Sequence, residues 1–348
     1  MESIADKLEE RIEDLEKKYE EESFPLRFDR HYSKVVEEAN ELAEEIRQTA
    51  SGDVDEDHIE IIKNFSDILI ELLEIIEEKI EDGHSENEEI FEAISRDFYR
   101  NYKFRDISTP LILHTENIDN GTAHPIIEIE ISDDDITFDR DTSLPVFQLS
   151  QEWVDNPEQW ILSLHEFSHI AYPSSKHLEE PEAPYTHMSE LFSDMLATHI
   201  AGPSYIRALL SHFSGQEDLN GFTDEHPSPS LRLKACEDII REHRNEPEIS
   251  EDIEDFFQKV NEWKEENSMN HVLSRKKTTP LRMVEDTFSD FVQENDGFKD
   301  RFVRVRDENI HDSPIDIVSM LALNLTANNP IDSEEAVQKI KSWYEVNR

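Results

Sequence analysis

Between Trp160 and His169 the chain reads Trp-Ile-Leu-Ser-Leu-His-Glu-Phe-Ser-His, and the His165-Glu166-x-x-His169 spacing constrains the fold more than any other feature. On a helix of 3.6 residues per turn, positions i and i+4 share a face, so both imidazoles can grip one metal ion while Glu166 stands beside it. That chemistry needs a rigid helix and a further ligand carried in from elsewhere in the chain. Zinc (Zn2+) held by two His and a carboxylate keeps a fourth position for water and lowers its pKa to about 7. A neighbouring Glu can then take the proton as the water attacks a carbonyl.

The flanking residues predict a helix. Asn156 reads as its N-cap, Pro157 as the first helical position, and Gln159 as the partner that closes a capping box. Trp160, Leu164, Phe167 and Ala171 recur at helical spacing as a core face, leaving His165 and His169 on a neighbouring stripe. Pro173 stops the helix. The two-His clamp is thus expected on a rigid, buried element.

The third ligand is not the one metzincins use, because Tyr172 and Ser175 occupy the positions of their Gly and third His. After a loop containing Pro173, Pro181 and Pro184, a second helical stretch runs from Ser189 to a Gly202-Pro203 stop. Glu190 and Asp194 share one of its faces. One carboxylate can bind the metal while the other accepts the ring N–H of a ligand His and fixes its tautomer. In so acidic a chain such a pair also describes a solvated face, but Leu191, Met195 and Ala201 flank it with apolar bulk. His177, Glu182 and His187 in the intervening segment are rival third ligands.

At this point the chain resembles the gluzincin metallopeptidases, most closely their CAAX-prenyl-endoprotease and HtpX-like branch. That branch combines His-Glu-x-x-His, a later Glu-x-x-x-Asp helix, and a His-Pro element followed by Arg. Here Asp224-Glu225-His226-Pro227-Ser-Pro-Ser-Leu231-Arg232 stands in the same order. The resemblance covers about residues 125–243. It implies that His165, His169 and Glu190 are zinc ligands, Glu166 the general base and Asp194 the acceptor behind a ligand His. By the same resemblance, His226 would donate to the tetrahedral oxyanion and Arg232 would neighbour the Glu190 region. Relatives in that branch are commonly membrane-embedded, whereas this sequence has no spanning segment, so prenylated or membrane substrates are not carried over.

Charge describes the setting. The 82 acidic and 34 basic residues give a formal charge of -48, spread too evenly to be an acidic tail. Such a charge opposes binding to nucleic acid or anionic lipid. It fits a protein kept in concentrated salt, where the Debye length falls to about 3 Å and self-repulsion is screened, and it predicts a halophilic source. Disorder is excluded by 36% hydrophobic residues in periodic patterns. The single cysteine, Cys236, forbids an internal disulfide and reads as a small core residue after Arg232; lying downstream of the clamp, it also fails the peptide-deformylase pattern. Arg275-Lys276-Lys277 is too short a basic patch for a nucleic-acid site, and no Gly-rich phosphate loop is present. The N-terminal residues lack a basic and apolar leader pattern, and no apolar run approaches the roughly 20 residues of a membrane span. A cytoplasmic enzyme is expected.

Three regions are expected. In residues 1–105, an acidic helical bundle or hairpin, Ile4, Leu8, Ile12, Leu15 and Tyr19 recur at helical spacing, as do Ile61, Phe65, Ile68, Leu72, Ile75 and Ile80. These stripes read as intramolecular core, with a homodimer through the N-terminal helices as the alternative. Residues 106–243 would form a zincin-like metallopeptidase core. In it His124-Pro-Ile-Ile-Glu-Ile-Glu-Ile131 alternates with period two, and Pro145-Val-Phe-Gln-Leu149 is a second strand candidate. By the resemblance, an edge of that small sheet would pair with extended peptide. Residues 244–348 return to helix over 250–266, 280–296 and roughly 313–347. The predicted class is therefore mainly α with a small β-sheet, α+β. Two functions are carried forward: a soluble zinc metallopeptidase acting on a peptide or protein substrate, with regulatory proteases of the ImmA type as a sub-alternative, and a helical interaction protein retaining a structural or inactive zinc site.

Overall fold

The computed structural model describes residues 86–101, 111–114, 122–124, 128–133, 136–141, 146–149, 155–171, 185–213, 226–243, 250–266, 313–323 and 333–347, with short stretches between 5 and 46 and residues 70, 221, 223, 284 and 288. The chain divides into two compact units, one of Met1–Glu86 with His124–Val146 and one of Asn87–Ala123 with Phe147–Arg348. In the first unit Val36, Ala39, Ala43 and Ile46 are buried on helical turns, a three-four-three spacing that marks one helix face. Ile12 is buried as its stripe predicts. Ile4, Leu8, Leu15, Tyr19 and the stripe from Ile61 to Ile80 lie outside the described residues.

Helices build the second unit: α1 (Glu86–Asn101), α2 (Ser163–Ala171), α3 (Tyr185–Ala201), α4 (Pro203–Phe213), α5 (Pro229–Glu242), α6 (Ser250–Glu266), α7 (Pro314–Leu323) and α8 (Ser333–Asn347). Their apolar faces merge into one buried cluster. On α1, Ile90, Ile94 and Phe98 at four-residue spacing, with Phe91, present the face that packs. Phe91 meets Trp160 edge-on with ring centroids 6.0 Å apart, and Phe147 meets Phe167 likewise at 5.1 Å. The buried Tyr99 hydroxyl donates to the Phe167 carbonyl at 3.0 Å, tying α1 to α2. Asp97 of α1 accepts hydrogen bonds from the Ser313 hydroxyl and, at 3.0 Å, from the Ile315 N–H, which caps the start of α7. Ile253, Phe257 and Val260 of α6 are buried with Phe256 partly buried beside them, and Val284 and Phe288 are buried as well; the side chains of Trp263, Leu281 and Phe291 lie outside the described residues.

The described residues also include five short extended segments: β1 (Leu111–His114), β2 (Thr122–His124) and β5 (Val146–Leu149), and, in the first unit, β3 (Glu128–Asp133) and β4 (Ile136–Asp141). β3 and β4 pair antiparallel from Glu128 opposite Asp141 to Asp133 opposite Ile136. The α+β expectation is nevertheless corrected, because the part of the chain that builds the core is all-α. Among the residues whose burial is described, the extended segments contribute Ile112 and Phe147 to the buried cluster and the other members are helical. Segments of three to six residues offer too little apolar face to form a layer against helices of nine to 17 residues. The small sheet expected ahead of the metal helix, and the strand edge for peptide, go with that correction.

The helix carrying His165 and His169 also starts differently from its prediction. Pro157–Leu162 is a 3-10 segment that passes into α2 at Ser163. Pro157 does occupy its first turn, but the Asn156 side chain makes no capping bond, and the buried Gln159 Oε1 accepts none. No capping box forms, because the tighter 3-10 turn closes instead through Gln159 N–H donating to the Asn156 carbonyl at 2.8 Å. Trp160, Leu164 and Phe167 are buried as the core face; the Ala171 side chain and Pro173 lie outside the described residues.

Candidate metal centre

Two helices carry the site. α2 presents His165, Glu166 and His169, and α3 packs against it with Glu190 and Asp194 one helical turn apart. α3 ends at Gly202, whose φ of 60° suits a residue without a Cβ, and whose N–H donates to the Thr198 carbonyl at 2.7 Å. The chain then turns directly into α4 at Pro203. α5 brings in Arg232; Ser228 caps it by accepting from the Leu231 N–H, with Pro229 in its first turn.

His165, His169 and Glu190 converge so that one ligand atom from each lies within 4.8 Å of the others, a group that can hold a metal ion. The two Nε2 atoms stand 3.0 Å apart. Glu190 Oε2 is 3.3 Å from His165 Nε2, and Oε1 is 3.1 Å from His169 Nε2. Behind the rings, His165 Nδ1 is 2.9 Å from Asp194 Oδ1 and His169 Nδ1 is 2.9 Å from Ser189 Oγ. With the Nδ1 protons directed at those oxygens, the Nε2 atoms face each other and the Glu190 carboxylate, where a bound proton or cation is favoured, and the Arg232 guanidinium stands at the edge of the group with Nη2 3.3 Å from His165 Nε2. Glu190 Oε2 is buried and accepts no well-aligned hydrogen bond, its surroundings being the electrostatic contacts of the His165, His226 and Arg232 nitrogens at 3.2–3.3 Å.

Asp194 is fully buried, where an unpaired carboxylate would cost several kcal/mol. Four donor groups answer it. Arg232 Nε reaches Oδ2 at 2.6 Å and Nη2 reaches Oδ1 at 3.0 Å, a two-point pairing. The Tyr205 hydroxyl donates to Oδ1 at 2.6 Å, and His165 completes the set. Burial favours the protonated carboxyl, but Arg232 and His165 overcome it and hold Asp194 well below the usual carboxylate range. Glu190 is held low against the same burial by His165 and Arg232. For His165, burial works against the charged ring, yet Asp194 and Glu190 lift its pKa to about 10.

Arg232 thus stands beside the Glu190 region, its Nη1 3.2 Å from Glu190 Oε2. His226 is more than half exposed, with Nδ1 3.2 Å from that same oxygen, and Glu190 raises its pKa. Thr223 fixes the backbone on both sides of His226: its hydroxyl accepts from the His226 N–H at 2.9 Å and its N–H donates to the His226 carbonyl at 3.0 Å. Glu166 is half-buried in the first turn of α2. Of the rival ligands, His187 turns its Nε2 to the Thr223 carbonyl at 2.8 Å; His177 and Glu182 lie outside the described residues, as do Asp224 and Glu225. Cys236 is buried on α5, its thiol raised by burial and 3.6 Å from the Asp194 carbonyl.

Sequence reasoning missed Ser189 and Tyr205. Ser189 adjoins a proposed ligand and could have been tested as a partner for a ring N–H. Tyr205 carries no such signal, since only the turn at Gly202 brings it back to Asp194. Among the described residues, no helix is long and apolar enough to cross a membrane. Compared with known proteins, the chain matches no family model, no curated protein and no solved structure.

Proposed function

We propose that the chain is a zinc-dependent metallopeptidase of gluzincin type, with His165, His169 and Glu190 holding the ion. One observation carries this reading: the two Nε2 atoms and the Glu190 carboxylate are 3.0–3.3 Å from one another. Ligand atoms about 2.0–2.1 Å from a tetrahedral zinc stand roughly 3.3 Å apart, and one ligand atom from each of the three residues lies within 4.8 Å of the others, close enough to converge on such an ion. Two imidazoles with one carboxylate is also the donor set that suits zinc with an open site.

When bound, zinc supplies a Lewis acid that polarises a carbonyl and makes water acidic near neutral pH. The protein's residues do the rest. Asp194 and Ser189 hold the Nδ1 protons of the two rings and so aim both Nε2 atoms at the ion. Glu166, next to His165, accepts the proton of the attacking water on its carboxylate and passes it to the leaving amine. His226, exposed at the rim beside Glu190, donates a ring N–H to the oxygen on which negative charge develops. Arg232 keeps Glu190 and Asp194 ionised. The substrate is a peptide or protein; the charge of -48 speaks against nucleic acid and anionic membranes.

The test is metal analysis joined to hydrolysis of a diverse peptide library in high salt. Near-stoichiometric zinc with cleavage abolished by chelation is expected. Zinc without cleavage would favour a helical interaction protein with an inert site, and no zinc at all would overturn the reading.

A further inference from the structure

Asp194 Oδ1 touches a ligand imidazole on one side and a phenol on the other. Tyr205 is completely buried, and its hydroxyl donates to that oxygen at 2.6 Å, while His165 Nδ1 lies 2.9 Å from the same atom. The phenol therefore shares its acceptor with the group that orients a proposed ligand. Its approach is set by the backbone: Gly202 reverses the chain between α3 and α4, and the Tyr205 N–H donates to the Gly202 carbonyl at 3.2 Å. That turn returns Tyr205 to a carboxylate 11 residues earlier.

We infer that Tyr205 is a positioning residue for the metal centre, acting through Asp194 on the His165 ring. This rests on the zinc reading above. Arg232 alone leaves Asp194 held along one edge by Nε on Oδ2 and Nη2 on Oδ1. The phenolic donor adds a further direction, fixing the carboxylate plane and with it the line along which Nδ1–H points. It also draws charge from Oδ1, so His165 is a less basic ligand than an imidazole facing a carboxylate without that donor. A hydroxyl serving only burial would need a partner but not this one.

Tyr344 supplies the comparison, since its hydroxyl likewise donates to a carboxylate, Glu92 Oε2, at 2.6 Å, and neither residue belongs to the metal centre. Zinc affinity is measured by competition with a chromophoric chelator, and site geometry by the visible absorption of the cobalt-substituted protein. For Tyr205→Phe, zinc affinity should fall roughly tenfold, the lower end of what partners behind metal ligands contribute, and the cobalt bands should shift. Tyr344→Phe should change affinity less than about twofold and leave the bands in place, while losing stability comparable to that lost in Tyr205→Phe. Unchanged affinity and spectrum in Tyr205→Phe, with a metal-binding parent, would overturn this inference alone. A parent that binds neither ion would overturn the zinc reading and this inference with it. Should Tyr205→Phe not fold, the parent labelled with fluorotyrosine answers the same question: one fluorine resonance, absent from the shifts of Tyr344, should move at one equivalent of zinc, and no movement would overturn the inference.

Discussion

The Nε2 atoms of His165 and His169 face each other at 3.0 Å while their Nδ1 atoms are held from behind by Asp194 and Ser189. Two ring nitrogens that close, beside a buried carboxylate, form a group that can hold a cation, and on the zinc reading its strength depends on how many ligands remain. Replacing either His by Ala should abolish tight zinc binding, because two remaining ligands cannot hold the ion against water. Glu190→Ala should also lose it, whereas His187→Ala should retain it, since His187 is engaged with the Thr223 carbonyl. Elemental analysis after gel filtration reads all four; retention in Glu190→Ala with loss in His187→Ala would reverse the ligand assignment.

Zinc uptake should expel a proton. In the metal-free protein His165 has its pKa lifted to about 10, above its ordinary value near 6.5, so it stays charged at neutral pH. Charged His165 stabilises the metal-free fold fully below about pH 6.5, and this contribution is lost as pH rises through about 10. The ion competes for the same nitrogen, so affinity should weaken about tenfold per pH unit as pH falls below 10, from this group alone. A weakly buffered titration with an indicator dye should show about one proton released per zinc at pH 7.5; zero release would contradict the assignment of His165.

Salt should stabilise the fold. At a formal charge of -48, repulsion among carboxylates opposes the compact state and is screened by molar KCl. Thermal unfolding followed by circular dichroism should give a higher midpoint in molar KCl than in dilute buffer, and equal midpoints would refute the halophile reading.

Glu166→Gln and His226→Ala should separate binding from catalysis. The first keeps shape but removes the base, so zinc should stay while peptide hydrolysis falls by roughly two to four orders of magnitude. The second removes a donor used in the transition state, lowering kcat about 100-fold or more with little change in KM or zinc content. Steady-state rates beside metal analysis check both; full activity in Glu166→Gln would reject it as the base.

What could be read from the sequence was what covalent geometry decides locally. The four-residue spacing of His165 and His169, and of Glu190 and Asp194, puts each pair on one helix face whatever surrounds it. Gly202-Pro203 ends one helix and begins the next for reasons internal to those two residues. Tertiary structure decided the rest. Alternation of Glu and Ile over 128–131 describes an extended segment, which pairs with β4, but not whether a layer forms on it, because a layer requires partners of matching length that local sequence does not specify. The helix carrying His165 and His169 is preceded by a 3-10 segment in which Trp160 meets Phe91 edge-on and Asn156 makes no capping bond, an arrangement that depends on a partner from another helix. Tyr205 meets Asp194 only because α3 and α4 fold back on each other, and a buried carboxylate takes whichever donors the packing delivers to it.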